Sequence, residues 1–147
     1  MMSIRDYLSA DHQRCDDFFH HAELAASTGQ WPACIKQMTA FQQALLHHLQ
    51  LEEESLFPAF EAATGVQHGP TQVMRMEHQD MRGLVSDLLL SAQQQDMDGF
   101  LGLADTLQIM MQQHNLKEEN VLYPAADRAL AADAGELMAT WSTRVCV

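Results

Sequence analysis

Basic residues are scarce in this chain, and their scarcity limits its partners. Its 147 residues include 8 lysines and arginines against 20 aspartates and glutamates, which gives a formal net charge of −12. A nucleic-acid-binding surface needs clustered positive charge to meet the phosphates. We therefore expect no nucleic-acid partner.

Long apolar runs and paired cysteines are also lacking. No window approaches the roughly 18–20 apolar residues of a membrane-spanning helix, so we expect no membrane span. The three cysteines, Cys15, Cys34 and Cys146, are an odd number without metal-site spacing. Such usage fits a reducing compartment better than a disulfide-stapled secreted fold. Residues 1–6 show no basic stretch followed by an apolar run, so we expect no signal peptide and a cytoplasmic location.

Period-two alternation is missing, so β-strands are not expected. Helical periodicity is present instead, in four stretches separated by short breaker segments. The stretches cover about residues 9–27, 31–62 and 71–92, and a fourth follows residue 98. Ser9 is the expected N-cap of the first, with a short helical piece over residues 3–8 before it. Pro58 is expected to kink or trim the end of the second helix.

Four helices of this length with short loops predict an all-α fold, an antiparallel up-down-up-down four-helix bundle. A final amphipathic segment, about residues 133–141, is expected to form a short C-terminal helix over one end of the bundle. At this length the chain is expected to be a single domain over residues 1–147.

A duplicated motif is the most informative feature of the sequence. His48 is followed by Glu52, and sixty-six residues later His114 is followed by Glu118. Each pair then continues with a second glutamate, two further residues, and Leu-Phe-Pro or Leu-Tyr-Pro. The same offset carries His12 onto His78, so the chain reads as an internal repeat of about residues 9–62 and 71–128.

The spacing of the motif places its ligands on one face. Residues four apart lie on the same side of a helix, about one turn from each other. Those positions fall on the apolar stripes, and a buried carboxylate persists only when it is paired or bound to metal. Glu52 and Glu118, facing each other in one core, would repel each other unless cations lay between them.

The repeat therefore predicts two metal ions in the bundle core. Mixed imidazole and carboxylate ligation suits iron or manganese better than copper or structural zinc, and dinuclear sites of this kind are known in helix bundles. Glu52 and Glu118 are the expected bridges. The expected terminal ligands are His12, His48, His78 and His114.

These motifs, over about residues 4–130, resemble the hemerythrin-like family, also called the HHE cation-binding domain. The resemblance implies a non-haem di-iron centre with an oxo or hydroxo bridge, and manganese is the alternative metal. Carried over to this chain, it implies that His12 and His48 hold one iron and His78 and His114 the other.

Two positions depart from the oxygen-carrying members of that family. The oxygen carriers have a further histidine one turn before the position of His78, where this chain has Met74. A thioether is a poor ligand for oxidised iron, so Met74 favours redox chemistry, sensing or iron handling over simple oxygen carriage. Those carriers also take the second bridge from the position of Glu119, which stays the alternative to Glu118.

The leading functional interpretation is a di-iron protein that binds or reduces dioxygen, hydrogen peroxide or nitric oxide, with a possible redox partner protein. The alternatives are an iron- or oxygen-sensing or storage module without turnover, and an iron-donating repair protein. Whether the chain is an enzyme stays open.

Several neighbours of the motif have supporting or structural interpretations. Glu53 and Glu119 are expected to be carboxylates behind the ligands or at the surface. Cys15, one turn from His12, is expected to pack in the core, with redox sensing as the alternative. Phe57 and Tyr123 are expected core aromatics. The residues that precede the first histidine of each repeat are candidates to support a neighbouring imidazole; they are Asp11 and Glu77.

Overall fold

The structure, a computed structural model, describes residues 2–143, so Cys146 lies outside the described residues. Within that range the chain is helical and has no β-strand. Its α-helices are α1 Ile4–Ser27, α2 Trp31–Leu51, α3 Phe57–Thr64, α4 Pro70–Gln93, α5 Met97–Lys117, α6 Tyr123–Ala129 and α7 Ala134–Thr143. Two π-helical turns, Glu52–Leu56 and Glu118–Leu122, join α2 to α3 and α5 to α6 without a break.

The helices form the predicted bundle. α1 packs beside α2 and α5, and α4 packs beside the same two helices. α1 and α4 are therefore diagonal, as are α2 and α5, which is the up-down-up-down arrangement. The short helix α7 contacts α1 at one end. No helix in residues 2–143 combines the length and apolar character that crossing a lipid bilayer would need.

The first helix begins earlier than the sequence predicts. α1 is continuous from Ile4, and Ser3 caps it by accepting a hydrogen bond from the backbone N–H of Asp6. The Asp127 carboxylate of α6 accepts a further hydrogen bond, 2.8 Å long, from the Ile4 N–H. The expected N-cap at Ser9 is therefore wrong: residues 3–8 are held in the helix by this cap and by burial of Ile4.

The two continuous rods, α2–α3 and α5–α6, each contain a wide turn just before a proline, Pro58 in the first and Pro124 in the second. The N–H of Phe57 bonds to the carbonyl of Glu52, five residues back, and the N–H of Tyr123 bonds to that of Glu118. Pro58 follows the first of these turns. Proline has no N–H and its ring clashes with the carbonyl four residues earlier, so a regular α-helix is disfavoured there.

The wide turn also changes which residues face inward. From α-helical spacing, Val121 is expected on the inner stripe with Glu118, but it is 61% exposed and Leu122 is buried instead. A π-helical turn holds more residues than an α-helical turn, so the third residue after Glu118 rotates off the stripe. The inward assignment of Val121 is therefore wrong.

Two apolar clusters fill the bundle and lie on either side of a polar layer. One contains Phe19, Phe41 and Phe100 among its buried members. The other contains Phe57 and Tyr123, together with aliphatic residues and the α7 tryptophan. On α1, on α4 and along the α5–α6 rod the polar residues of the layer come between members of the two clusters, and on α2 the change from one cluster to the other falls between His48 and Glu52. Apolar packing therefore lies on both sides of the layer.

Candidate metal centre

Four imidazoles meet in the polar layer, one from each long helix. His12 comes from α1, His48 from α2, His78 from α4 and His114 from α5, and none is more than 6% exposed. The ring centroids of His12 and His48 are 4.6 Å apart, and those of His78 and His114 are 5.0 Å apart. The structure therefore brings together all four predicted histidines as two pairs.

Two carboxylates lie between the histidine pairs. Glu52 and Glu118 open the two π-helical turns and are 0% exposed. In the described part of the chain, donor atoms within 4.8 Å of one another form two groups, and both groups contain Glu52 and Glu118. The first is completed by His12 and His48. The second is completed by His78 and His114.

Every imidazole is also held from behind by a carboxylate at Nδ1. Glu119 is one of these four carboxylates, on His12, so the structure places it outside the layer that contains Glu118. Such contacts orient the ring and direct Nε2 toward the shared centre. The Nδ1–oxygen distances are 2.7 Å for His12–Glu119, 2.7 Å for His48–Asp11, 2.6 Å for His78–Glu53 and 2.8 Å for His114–Glu77.

Glu53 and Glu77, two of these supporting carboxylates, are anchored in turn by cations. Arg82 donates to both carboxylate oxygens of Glu53 at 2.9 Å, and Lys117 lies 2.5 Å from Glu77. Burial would raise the pKa of Asp11, but the hydrogen bonds and positive charges of His48 and Arg14 together outweigh burial and lower that pKa to about 2. Asp11 therefore stays ionised across the physiological pH range and can accept a hydrogen bond from the imidazole of His48.

Tyr123 belongs to the site, although the sequence predicted only a core aromatic. Its hydroxyl lies 2.6 Å from Oε2 of Glu52 and 3.0 Å from Oε1 of Glu118. Its counterpart in the repeat, Phe57, stacks on His78 and has no hydroxyl. The Phe-to-Tyr difference between the repeats was the available signal, but the spacing alone did not show that this ring reaches the carboxylates.

The pKa values of the two central carboxylates are shifted in opposite directions. Burial and the charge of Glu118 raise the pKa of Glu52. Burial would raise the pKa of Glu118 too, but its contacts with Glu52, His114 and His12 together hold it well below its usual range. Burial and both carboxylates also raise the pKa of Tyr123, which keeps its proton. Of the two carboxylates, Glu52 is therefore the one that takes up a proton more readily.

The residues present fit a pair of metal ions. Four buried atoms have no hydrogen-bond partner among the described residues: Oε1 of Glu52, Oε2 of Glu118, and Nε2 of His78 and His114. Unpartnered buried polar atoms are costly, and a cation satisfies carboxylate oxygens and neutral imidazole nitrogens together. Nitrogen and oxygen donors without a thiolate suit iron or manganese.

Comparison with known proteins agrees with this geometry. The model of the hemerythrin HHE cation binding domain matches residues 3–126. This chain belongs to the hemerythrin HHE family. An iron-sulfur cluster repair protein, YtfE of Edwardsiella ictaluri (strain 93-146), is 31% identical over 109 residues, which are 67% of this chain and 49% of that protein. The chain thus spans about half the length of this curated relative. No solved structure matches it.

The hemerythrin-type centre has very little free space beside it. A cavity of about 10 Å³ touches His12, His48 and His114, and Cys15 also lines it. This volume is close to the minimum that holds one water molecule. A surface groove of about 340 Å³ shares Asp16 with the cavity, as well as Met111 and Asn115. The shared wall places the groove next to the centre.

Met74 lies one turn before His78 on α4 and is 3% exposed, in the apolar cluster that contains Phe57 and Tyr123. The position that departs from the oxygen carriers is therefore buried near the hemerythrin centre rather than at the surface.

Metal uptake by this hemerythrin domain is expected to release protons. Burial would lower the pKa of His12, but the carboxylates of Glu118, Glu52 and Glu119 together outweigh burial and raise it to about 9. Burial also opposes the shift of His114, and the neighbouring carboxylates together raise its pKa to about 8. Both rings are therefore protonated at neutral pH, whereas a metal ion binds the neutral ring. Affinity should rise with pH by about tenfold per pH unit for each displaced proton, until the pH passes the pKa.

Titration calorimetry of the metal-free protein in two buffers of different ionisation enthalpy would count these protons. We expect at least one proton released per chain at neutral pH and fewer at a pH above the pKa of His12. A proton count of zero at neutral pH would contradict the assignment of these imidazoles as ligands.

Proposed function

We propose that this chain holds two non-haem iron ions and uses them to bind or reduce a small molecule, namely dioxygen, hydrogen peroxide or nitric oxide. The observation that carries the proposal is the sharing of two buried carboxylates, Glu52 and Glu118, between two histidine pairs. A single ion would not use both groups of donors, and a structural ion would not need a shared pair of carboxylates.

In this proposal His12 and His48 would hold one ion and His78 and His114 would hold the other. Glu52 and Glu118 belong to both donor groups and would be shared by the two ions. Glu119 is assigned to the Nδ1 side of His12, where it orients the ring. When bound, the iron pair would supply electrons and open coordination positions to a small ligand. Manganese fits the same donors and stays the alternative metal.

The protein around the centre favours small ligands over larger substrates. The adjoining cavity has room for about one water-sized molecule, and the apolar clusters on both sides exclude bulk water. Tyr123 holds a proton 2.6 Å from Glu52, within the donor groups themselves. Reduction of dioxygen or peroxide needs protons at the centre and electrons from outside, so we propose a redox partner protein as the electron source for the reducing function.

Iron donation for repair is the second candidate function, and one finding favours it. The curated relative is named as an iron-sulfur cluster repair protein. An iron–sulfur cluster is far larger than the cavity, so in this version the chain would give up iron rather than admit the damaged cluster. A sensing or storage role is the remaining alternative.

Anaerobic iron loading with metal counting, followed by stopped-flow absorption against dioxygen, peroxide and nitric oxide, separates these functions. We expect two irons per chain. After mixing, we expect a transient absorbing species that decays as the added molecule is consumed. Transfer of the loaded iron to an added chelator, if faster than the reaction with any of the three small molecules, would favour donation. Fewer than two bound irons would contradict the dinuclear centre.

Met74→His should move the centre toward reversible oxygen binding. A histidine one turn before His78 offers a further imidazole to the ion at that pair, which removes one open position and gives the two ions different numbers of protein ligands. We expect an absorption band that appears under oxygen and disappears when the gas is removed. The wild-type protein should not show this reversibility.

Met76→His is the matched control for this substitution. Met76 lies on the same helix but is 64% exposed, so a histidine there points away from the centre. Reversible oxygenation in the Met76 variant, or its absence from the Met74 variant with both irons bound, would contradict the role given to residue 74.

A further inference from the structure

We propose that the Tyr123 hydroxyl makes the two metal positions unequal, so that the His78–His114 position fills first and the His12–His48 position fills second. This inference rests on the proposed dinuclear centre and deepens it: it assigns an order of loading and names the residue that sets the order.

The first argument is where the hydroxyl lies. It contacts both histidines of the His12–His48 group and the two carboxylates that both groups share. Its oxygen is 2.6 Å from Glu52 Oε2, 3.0 Å from Glu118 Oε1, 3.2 Å from His12 Nε2 and 3.5 Å from His48 Nε2. An ion that enters this group must displace or rearrange these contacts.

The second argument is the state of the other group. The four buried side-chain atoms without a hydrogen-bond partner in residues 2–143 all belong to members of the His78–His114 group; two are its imidazole nitrogens, and two are oxygens of the carboxylates that both groups share. His78 Nε2 lies 3.2 Å from Glu52 Oε1 and His114 Nε2 lies 3.2 Å from Glu118 Oε1, but neither contact has hydrogen-bond geometry. An ion that binds these four atoms displaces no hydrogen bond made by them and satisfies atoms that otherwise have no partner.

The third argument comes from the internal repeat, which supplies its own comparison. Tyr123 and Phe57 occupy equivalent positions, and their rings pack on equivalent histidines. The Tyr123–His12 centroids are 5.7 Å apart, and the Phe57–His78 centroids are 5.6 Å apart. The aromatic packing is thus nearly matched in the two halves, and the hydroxyl is the main difference at this position. We assign the inequality of the two positions to that hydroxyl.

The size of the effect follows from the contacts to be broken. A buried hydrogen bond contributes modestly to stability, and a buried group left without one carries a larger penalty. Losing one to two such bonds on loading weakens binding by roughly 10- to 100-fold relative to the position that loses none. Two well-separated binding events are therefore expected.

The test is an anaerobic titration of the metal-free protein with Mn²⁺ alone, monitored by calorimetry and by electron paramagnetic resonance. Wild-type protein should bind one ion tightly, with the spectrum of an isolated Mn²⁺, and a second about 10- to 100-fold more weakly, with the spectrum of a coupled pair. In Tyr123→Phe the two affinities should approach each other. In Phe57→Tyr, which adds a hydroxyl to the other half, the first event should weaken.

The histidines locate the events without changing residue 123. His12→Ala should keep the tight first event and lose the second, whereas His78→Ala should lose the tight event. The inference is overturned if these two variants behave the other way round, or if a folded Tyr123→Phe protein keeps the wild-type separation. If the wild-type protein binds at most one ion, the dinuclear centre itself fails, which is a different outcome from equal affinities for two ions.

Discussion

Glu118→Ala is expected to reduce metal binding from two ions per chain to at most one. Glu118 is fully buried and belongs to both donor groups, so its removal takes an oxygen from each position at once. It also removes the negative charge that offsets two cations held close together in a region of low dielectric. Glu52→Ala should act in the same way, because Glu52 occupies the equivalent place in the first repeat.

Metal counting after anaerobic iron loading and desalting measures this effect directly. Glu54→Ala is the matched control: Glu54 lies in the same π-helical turn as Glu52 but is exposed and belongs to neither donor group. The control should bind two ions. If Glu52→Ala or Glu118→Ala protein still held two irons per chain, the bridging assignment would be wrong.

Removal of metal is expected to lower the melting temperature by about 10 °C or more. An ion that binds only the folded state stabilises it by about 4 kcal/mol when its free concentration is a thousand times its dissociation constant. For a chain of this size each kcal/mol corresponds to about 2–4 °C. Without cations, Glu52 and Glu118 face each other in the core and several buried atoms have no partner.

Differential scanning calorimetry of the loaded protein and of the chelator-treated protein gives the shift, and Glu118→Ala provides the control. Because that variant cannot hold the bridged pair, chelation should change its melting temperature much less. An equal melting temperature with and without metal in the wild-type protein would show that the metal does not bind preferentially to the folded chain. It would thereby contradict a site built from the bundle core.

The sequence made the clustering of the six side chains predictable because the His-to-Glu spacing and the repeat offset can both be read from the chain itself. His48 and Glu52 are four residues apart, which fixes their common helix face without knowledge of any other helix. The repeat then places His114 and Glu118 in the same relation. Helical periodicity and short loops predicted the bundle architecture. The contacts of α1 and α4 with both α2 and α5 confirmed it.

The supporting carboxylates were predictable only in part. Their types and positions identified Asp11 and Glu77 as candidates, but each supports an imidazole of another helix: Asp11 on α1 contacts His48 on α2, and Glu77 on α4 contacts His114 on α5. Which carboxylate meets which ring depends on the rotation of neighbouring helices. No spacing within one helix determines that rotation.

By itself the sequence determined four amphipathic helices, their duplication and the six side chains that face the centre, because helix periodicity and fixed offsets act within one segment. The tertiary structure decided the rest. It formed the π-helical turns that moved Val121 outward, placed Glu119 behind His12, and brought the Tyr123 hydroxyl among the donors of one metal position. These outcomes depend on how one helix is rotated and shifted against another, and that is set by packing across the core.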